Sequence, residues 1–268
     1  KADITPSGPI RLSGYGSRAA VSEGVDQRLF ARALVLKDAG GVLSVILSVD
    51  AIGMPARVRD RVVGEIRDET GIYHVRLAAA ATHSHYAPVL DGSIVNIFAM
   101  SPEETRAVKA YTNELVLKLV KAIGEALARL APAEVLHGKG TAGFAKNRRQ
   151  QGGPVEHDVP VLLVKGADGK PVAVVYGYAC HATTIPAELN RVCGDWPGYA
   201  AEYIEAAHPG AVALPLIGCG ADANPTPRTG LDFARKNGRC LADAVSAVLQ
   251  GKKLRPVAGP LSGRFDRI

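Results

Sequence analysis

Apolar residues occur along this chain in short continuous runs that alternate with longer segments of helical spacing. The short runs, bounded by glycine, proline or acidic residues, are typical of buried strands. The strands predicted in this way are residues 31–36, 42–49, 75–81, 159–164, 171–179 and 211–217. Apolar positions three or four residues apart predict helices between them. The predicted helices are residues 56–70, a segment beginning at Pro102, a segment after Pro197, and residues 231–249.

Local signals support several of these boundaries. Gly71 follows the first predicted helix and is a favourable C-cap residue. Ser101, followed by Pro102 and by Glu104 three residues on, has the pattern of a capping box with a proline in the first turn. The segment Asp168-Gly169-Lys170 predicts the tight turn of a β-hairpin between the strands on either side.

Alternating strands and helices predict an α/β fold with a mixed β-sheet core flanked by helices. The second strand of the hairpin leads directly into His181. No repeat and no convincing linker interrupts the pattern, so we expect residues 1–268 to form a single α/β catalytic-type domain.

Composition narrows the class of protein. With 47% hydrophobic and 22% charged residues in 268, the chain is typical of a soluble globular protein. No apolar run approaches the roughly 18 residues that a membrane-spanning helix needs, so no transmembrane segment is expected. The net charge is +6, but the basic residues are scattered and aromatic residues make up only 5%. We therefore expect no nucleic-acid partner.

The cysteines and the first residue bear on cellular location. The four cysteines form no Cys-x-x-Cys pair, and most are expected to be buried thiols, although two disulfides are the alternative. The chain begins at Lys1 rather than at methionine, which is compatible with removal of an export signal upstream. The expected location is extracytoplasmic, either secreted or periplasmic.

The segment Ala81-Thr82-His83-Ser84-His85 ends a predicted strand with two histidines. Side chains alternate along a strand, so His83 and His85 are expected to project from one face. Two imidazoles so placed are a common beginning of a zinc site. The alternative for this motif alone is two loop histidines that bond to backbone.

Polar side chains also follow three other predicted strands, where ligands bind in open α/β sheets. Asp50 ends one strand, His181 ends another, and Asp222 and Asn224 follow a third. This clustering favours a site at one edge of the sheet. For Asp50 the alternative is a cap on the next helix.

Taken together, these motifs resemble the neutral/alkaline ceramidase family, and the resemblance extends over nearly the whole chain. The matching segments are Ile4-Thr5-Pro6, Thr82-His83-Ser84-His85, His181, Gly194-Asp195 and Gly198-Tyr199-Ala200. The resemblance implies a mixed α/β fold and a zinc-dependent amide hydrolase, with one Zn2+ per chain and a role in sphingolipid metabolism.

The resemblance also implies roles for individual residues. His83 and His181 match the two zinc-binding histidines, and His85 matches a histidine beside the reaction centre. Arg148 resembles the arginine that faces the scissile group, with a solvated basic loop as the alternative. Asp195 matches a carboxylate that orients a ligand histidine.

The chain departs from the family pattern in two respects. Asp222 and Pro225 align with a family motif, but Asn224 stands where the family has a serine. An amide is not a nucleophile, although its NH2 group can donate to an oxyanion. The family's other zinc ligands, a glutamate and a tyrosine, lie beyond Ile268. We therefore expect this chain to be the N-terminal part of a longer protein, with Asp50, Asp195 or Asp222 as candidates to support the metal site.

The expected reaction is hydrolysis of the amide bond in an N-acyl, lipid-like or small-molecule substrate, with metal-bound water as the nucleophile. His85 is the expected proton carrier, Arg148 and Asn224 the expected oxyanion donors, and Asp222 a further catalytic candidate. Contacts to the substrate are expected from Tyr86 and from Trp196, for which packing at a turn is the alternative. Two other functions stay open, namely metal-dependent hydrolysis of an ester or glycan-derived bond and non-catalytic binding.

Overall fold

The computed structural model describes residues 1–93 and 99–266. Its α-helices are α1 (Ala56–Thr70), α2 (Pro102–Ala128), α3 (Asp195–Ala207) and α4 (Leu231–Gln250). Its strands are β1 (Ala2–Asp3), β2 (Phe30–Lys37), β3 (Leu43–Val49), β4 (Leu77–Ala81), β5 (Ala133–Thr141), β6 (Ala145–Asn147), β7 (Asp158–Gly166), β8 (Pro171–Tyr178), β9 (Val212–Ile217), β10 (Ala223–Pro225) and β11 (Arg255–Pro256). The predicted α/β class with mixed sheets and flanking helices is confirmed.

The larger strands form two mixed sheets, whereas the sequence pattern suggested one. The first sheet has the order β1-β2-β3-β4, and the second has the order β11-β5-β7-β8-β9. In each sheet the last pair is parallel, namely β3 with β4 and β8 with β9, and the others are antiparallel. Helices α1 and α2 contribute to the core on the first sheet, and α3 and α4 to the core on the second.

The two sheets pack face to face through a third apolar cluster. Leu34 of β2 and Ile46 of β3 pack there with Val175 of β8 and Leu214 of β9. The Ser48 hydroxyl of β3 also donates to the Pro215 carbonyl oxygen of β9 at 2.6 Å. The architecture is therefore four layers, in the order helix, sheet, sheet, helix, with β4 and β9 near each other at the edge.

This packing brings the carboxyl ends of β4 and β8 together. Just beyond those ends, Ser84 and Ala182 form an isolated parallel bridge that links the two sheets. Residues on either side of Ser84 therefore lie beside residues on either side of Ala182. The two histidine-bearing segments are neighbours for this reason. None of the helices within residues 1–93 and 99–266 combines the length and the apolar character that a membrane span requires.

Candidate metal centre and active site

Three histidines from the two bridged segments converge at one point. The Nε2 atom of His83 lies 3.2 Å from Nε2 of His181 and 3.4 Å from Nε2 of His85. Of the described residues, these three form the group whose ligand atoms all lie within 4.8 Å of one another. His83 adopts a positive φ of 59°, uncommon for a residue other than glycine. Such strain is often found at functional sites.

Hydrogen bonds to backbone fix the ring orientation of two of these histidines. Nδ1 of His83 lies 2.7 Å from the Ile52 carbonyl oxygen, and Nδ1 of His181 lies 2.8 Å from that of Gly220. Because a carbonyl only accepts, both Nδ1 atoms carry the proton and both Nε2 atoms present lone pairs. Lone pairs facing each other at 3.2 Å repel unless a cation lies between them.

The donor set fits a zinc ion. Two nitrogens bound to one tetrahedral zinc at about 2.0–2.1 Å lie roughly 3.3 Å apart. The Nε2 separations of 3.2 Å and 3.4 Å are close to that value. A second hydrogen bond from the far ring nitrogen to a carbonyl is also the usual support of a metal-bound histidine. His83 and His181 both have this support.

The surroundings of His85 differ from those of the other two rings. Its Nδ1 is buried and makes no hydrogen bond of normal geometry. Burial lowers the pKa of the His85 side chain to about 3, and the nearby rings of His83 and His181 add to the shift. Burial also lowers the pKa of His181, against the opposing effect of its bond to Gly220. His85 is therefore neutral at neutral pH.

Three residues that sequence reasoning did not assign hold His85 in place. The Tyr15 ring meets the His85 ring edge-on, with centroids 5.0 Å apart. The Arg18 guanidinium donates to the carbonyl oxygens of Ser13, at 2.9 Å, and His85, at 2.5 Å. Gly14 has a φ of 92°, and its backbone lies directly against the His85 ring. The segment Gly14-Tyr15-Gly16 is apparent in the sequence, but two glycines and a tyrosine do not indicate a particular ligand or reaction.

We expect Gly14→Ala to displace the His85 ring. A Cβ atom at position 14 would lie 2.4 Å from Cγ of His85, and the positive φ also disfavours alanine. Destabilisation should be about 1–3 kcal/mol, the cost of strain at such a position, measured by urea unfolding. Gly8→Ala is the matched control, because nothing lies within 4 Å of its Cβ position. Equal stability of the two variants would contradict this packing.

Asp195 and Trp196 position the segment that carries His181 rather than its ring. The buried Asp195 carboxylate accepts from the N–H groups of Thr184 at 2.8 Å and Trp196 at 2.6 Å. The Trp196 indole N–H donates to the His181 carbonyl oxygen at 2.9 Å. Burial raises the pKa of the Asp195 carboxyl, while these hydrogen bonds act in the opposite direction. The predicted link from Asp195 to a histidine ring is therefore absent, because backbone groups occupy the carboxylate.

The two predicted substrate contacts lie below the surface. Trp196 is 1% exposed and packs edge-on against Phe144 and Tyr178. Tyr86 is fully buried, and its hydroxyl donates to the Ile185 carbonyl oxygen. The prediction that these side chains face a substrate is wrong, because no surface of either is available.

Asp50 is part of a buried ion pair and does not join the histidines. Its carboxylate lies 2.9 Å from Arg32 Nη1 and accepts from the Phe30 N–H at 2.8 Å. Both charged side chains are almost completely buried. Helix α1 has Pro55 at its N-cap and no side-chain cap, so the alternative role of Asp50 as a cap is also wrong.

The remaining candidates lie on the ribbon formed by β6 and β10. The His181 N–H donates to the Ala223 carbonyl oxygen at 2.9 Å, which places this ribbon beside the histidines. Arg148 is exposed, and its Nε donates to the Ala221 carbonyl oxygen at 2.9 Å. The exposed carboxylate of Asp222 accepts from Asn147 at 3.4 Å and has no contact with a histidine.

Asn224 is half-buried, and its amide orientation is set by a neighbour. Thr183 lies two residues after His181, and its hydroxyl donates to Oδ1 of Asn224 at 3.4 Å. The amide NH2 group is thereby left as a donor. Thr183 is another residue that the sequence did not indicate, because a single threonine carries no motif.

The cysteines of this chain are free thiols. Cys180 and Cys193 are buried, whereas Cys219 and Cys240 are exposed. The prediction of buried thiols therefore holds for two of the four cysteines. Burial raises the pKa of both buried thiols. Neither is activated as a nucleophile.

Comparison with known families and proteins gives one consistent result. The family model described as "Neutral/alkaline non-lysosomal ceramidase, N-terminal" matches residues 1–226. A neutral ceramidase of Pseudomonas aeruginosa is 24% identical over 288 residues, covering 99% of this chain and 38% of that protein. A neutral ceramidase of Mycobacterium tuberculosis is 25% identical, and the match covers 100% of this chain and 47% of that protein. A neutral ceramidase of Drosophila melanogaster is 27% identical, and the match covers 76% of this chain and 31% of that protein.

Solved structures agree on the fold. The crystal structure of neutral ceramidase from Pseudomonas aeruginosa superposes with a TM-score of 0.83 at 22% identity, covering 97% of this chain and 45% of that one. A structure titled "Ceramidase complexed with C2" superposes equally well. The chain spans less than half the length of each of these relatives.

Proposed function

The chain belongs to the neutral/alkaline non-lysosomal ceramidase family, and we propose that it forms the metal-binding catalytic site of an amide hydrolase. The proposed substrate is an N-acyl, lipid-like amide, and the proposed cofactor is one Zn2+ per chain. The observation that carries the proposal is the 3.2 Å approach of the His83 and His181 Nε2 lone pairs. An extracytoplasmic location stays a prediction.

The two histidines with carbonyl-bound Nδ1 atoms are the proposed zinc ligands. His83 and His181 meet the ligand requirement because each presents a deprotonated Nε2 in a fixed orientation. The chemistry that zinc supplies at such a site is polarisation of a carbonyl group and activation of water at neutral pH.

His85 is the proposed proton carrier. Its Nε2 lies 3.4 Å from that of His83, and its Nδ1 lacks the carbonyl partner that fixes the tautomer of the other two rings. In amide hydrolysis the C–N bond breaks, a C–O bond forms from water, and a proton passes to the leaving amine. A neutral imidazole at this position is able to accept that proton at Nε2 and release it to the amine.

Asn224 and Arg148 are the proposed donors to the developing oxyanion. Thr183 occupies Oδ1 of Asn224 and leaves the Nδ2 hydrogens available. Arg148 is anchored through Nε, so its two terminal NH2 groups are left to bind an oxygen. Stabilisation of developing charge by fixed donors is often a large contribution to catalysis.

We expect Asn224→Ala to lower kcat by roughly 100-fold or more, the usual cost of losing one oxyanion donor, with a smaller change in KM. Asn224→Ser should not restore the full rate, because the shorter serine side chain cannot bring its single O–H donor to the position of the amide NH2 group. Steady-state assay of amine release measures both effects. An Asn224→Ser variant faster than the parent would instead favour a serine-based mechanism.

A direct assay tests the function itself. The zinc-loaded protein should release free amine from an N-acyl amide, and removal of zinc by a chelator should abolish this activity until zinc is restored. Esters with the same acyl chain test the alternative bond. An absence of hydrolysis in a zinc-loaded, folded sample would contradict the proposal and favour a binding role.

A further inference from the structure

One edge of strand β2 has a neighbouring strand along only part of its length. In the first sheet β2 lies between β1 and β3, but β1 pairs only with Phe30 and Ala31. The pairing with β3, in contrast, continues to Lys37. Among residues 1–93 and 99–266, no strand therefore lies beside residues 33–37 of β2 on the side of β1.

Backbone groups along this edge point away from β3. The Leu29 carbonyl oxygen accepts from the N–H of Ile4, which follows β1, whereas the Phe30 carbonyl oxygen accepts from the residue that follows β3. Because these directions alternate along an antiparallel strand, the N–H and C=O groups of Ala33 and Val35 face the side of β1. Such a row of backbone groups is able to pair with a further strand.

A groove of about 820 Å3 runs along this edge and is lined by residues 33–37 of β2. Its volume is within the usual range of protein binding sites. One wall contains Ala126 of α2 and Leu130 just after it, and the facing wall contains Val135 of β5 and Val164 of β7. A strand placed about 4.8 Å from β2 would therefore lie between the helix layer and the second sheet.

The side chains of β2 indicate what a neighbouring strand would contact. Ala33 and Val35 pack in the core that α1 and α2 cover. Leu34 and Leu36 pack in the apolar cluster between the two sheets. Side chains directly opposite each other on paired strands share a face. A strand in the groove would thus be covered on both faces, and strands of this kind are continuous apolar runs.

Two cations at the groove are available to an acidic partner. Lys37 and Arg129 line the groove, both are exposed, and neither forms an ion pair with a described residue. Two carboxylates also line it. Asp38 accepts from two backbone N–H groups, and Glu125 lies 3.9 Å from Lys121. The complementary partner is therefore apolar, with an acidic residue near Lys37.

We propose that the groove binds an extended peptide strand, which pairs antiparallel with residues 33–37 of β2 and lies in line with β1. Its apolar residues lie opposite positions 33–36, and an acidic residue lies opposite Lys37. In strand addition of this kind, main-chain hydrogen bonds provide affinity and side chains provide selectivity. The groove lies where β8 and β9 begin, whereas the histidines follow the ends of β4 and β8. The inference is therefore independent of the proposed hydrolase function.

The test adds a five-residue strand to the full chain, with the sequence glutamate, valine, isoleucine, valine, alanine. Fused directly before Lys1, it continues the register of β1, so that its glutamate lies opposite Lys37 and its alanine opposite Ala33. The fused strand should slow amide hydrogen exchange at Ala33 and Val35 by at least about 10-fold, measured by NMR. The same strand as a free, end-capped peptide should protect these amides at roughly 1 mM or above, since fusion supplies a high effective concentration.

Matched controls separate strand pairing from other effects. Proline in place of the isoleucine, which lies opposite Val35, removes the N–H that pairs with β2 and should abolish protection. Ala133→Trp, at an exposed position that lines the groove, should block the free peptide, whereas Ala128→Trp, exposed outside the groove, should not. Lys37→Glu should weaken binding of the free peptide roughly two- to fivefold, as for an exposed ion pair. Lys109→Glu, at an exposed position on α2, should leave it unchanged.

Three outcomes overturn the inference. The first is unchanged exchange at Ala33 and Val35 when the strand is fused, and the second is equal protection by the proline version. The third is a dimer of the parent protein, detected by sedimentation, in which these amides are already protected, because a second copy would then occupy the edge. Zinc content and amide hydrolysis should not depend on the strand, so failure of this inference leaves the proposed function unaffected.

Discussion

Replacing both His83 and His181 with alanine is expected to remove bound zinc and to abolish amide hydrolysis. Their Nε2 atoms are 3.2 Å apart and both present lone pairs, which a shared cation would bind. Activity should fall well beyond the 10- to 100-fold that loss of a supporting residue around a metal typically costs. Metal content by mass spectrometry and amine release by steady-state assay measure the two effects.

The matched control for this double variant is His137→Ala, an exposed histidine on β5. It should retain full zinc content and activity, which separates loss of the site from loss of any imidazole. Circular dichroism establishes that the double variant is folded. A folded double variant that still binds one zinc ion at this site would contradict the assignment of both ligands.

Asp50→Ala is expected to destabilise the protein by about 3–5 kcal/mol, because it leaves the Arg32 guanidinium buried without its anion. The pair is 2.9 Å apart, and both side chains are almost fully buried. Urea unfolding measures the loss. Zinc content of the folded fraction should not change, because Asp50 supports the fold and does not contact the histidines.

An exposed ion pair of similar length provides the control. Arg28 and Asp3 lie 3.0 Å apart, but their side chains are 73% and 39% exposed. Arg28→Ala should therefore cost less than about 1 kcal/mol. If Asp50→Ala left stability unchanged and removed zinc instead, Asp50 would belong to the metal site, contrary to the geometry.

Local signals in the sequence predicted the helices well. Helix α1 spans the predicted residues 56–70, and Gly71 adopts the left-handed C-cap conformation. Ser101 and Glu104 form both hydrogen bonds of the capping box at the start of α2. These features depend on residues within one turn of each other, so a single sequence contains the necessary information.

Pairing between distant strands was harder to predict. The pattern indicated one mixed sheet, but which apolar strands share a sheet depends on pairing between segments far apart in the chain, such as β8 with β9. Strand β5 (Ala133–Thr141) was missed because most of its residues are exposed or half-exposed, so the hydrophobic alternation is weak. Strand β4 begins at Leu77 rather than at residue 75, since His74–Arg76 forms a 3-10 turn.

In the candidate site, too, the sequence predicted some features and could not predict others. The histidines were expected to meet because they follow strands that end at one edge, and the bridge between Ser84 and Ala182 brings them together. The sequence did not distinguish the roles of the carboxylates, since an aspartate at a strand end serves equally as a ligand, a cap or an ion-pair partner. A residue 18 positions away, Arg32, decided the role of Asp50.

The most direct test of the account is anomalous diffraction at the zinc edge from crystals of the zinc-loaded protein. We predict one peak within about 2.0–2.1 Å of the Nε2 atoms of both His83 and His181, with His85 beside it. A structure in which the two rings face different cavities would contradict the account. So would a single zinc peak at Cys219 or Cys240.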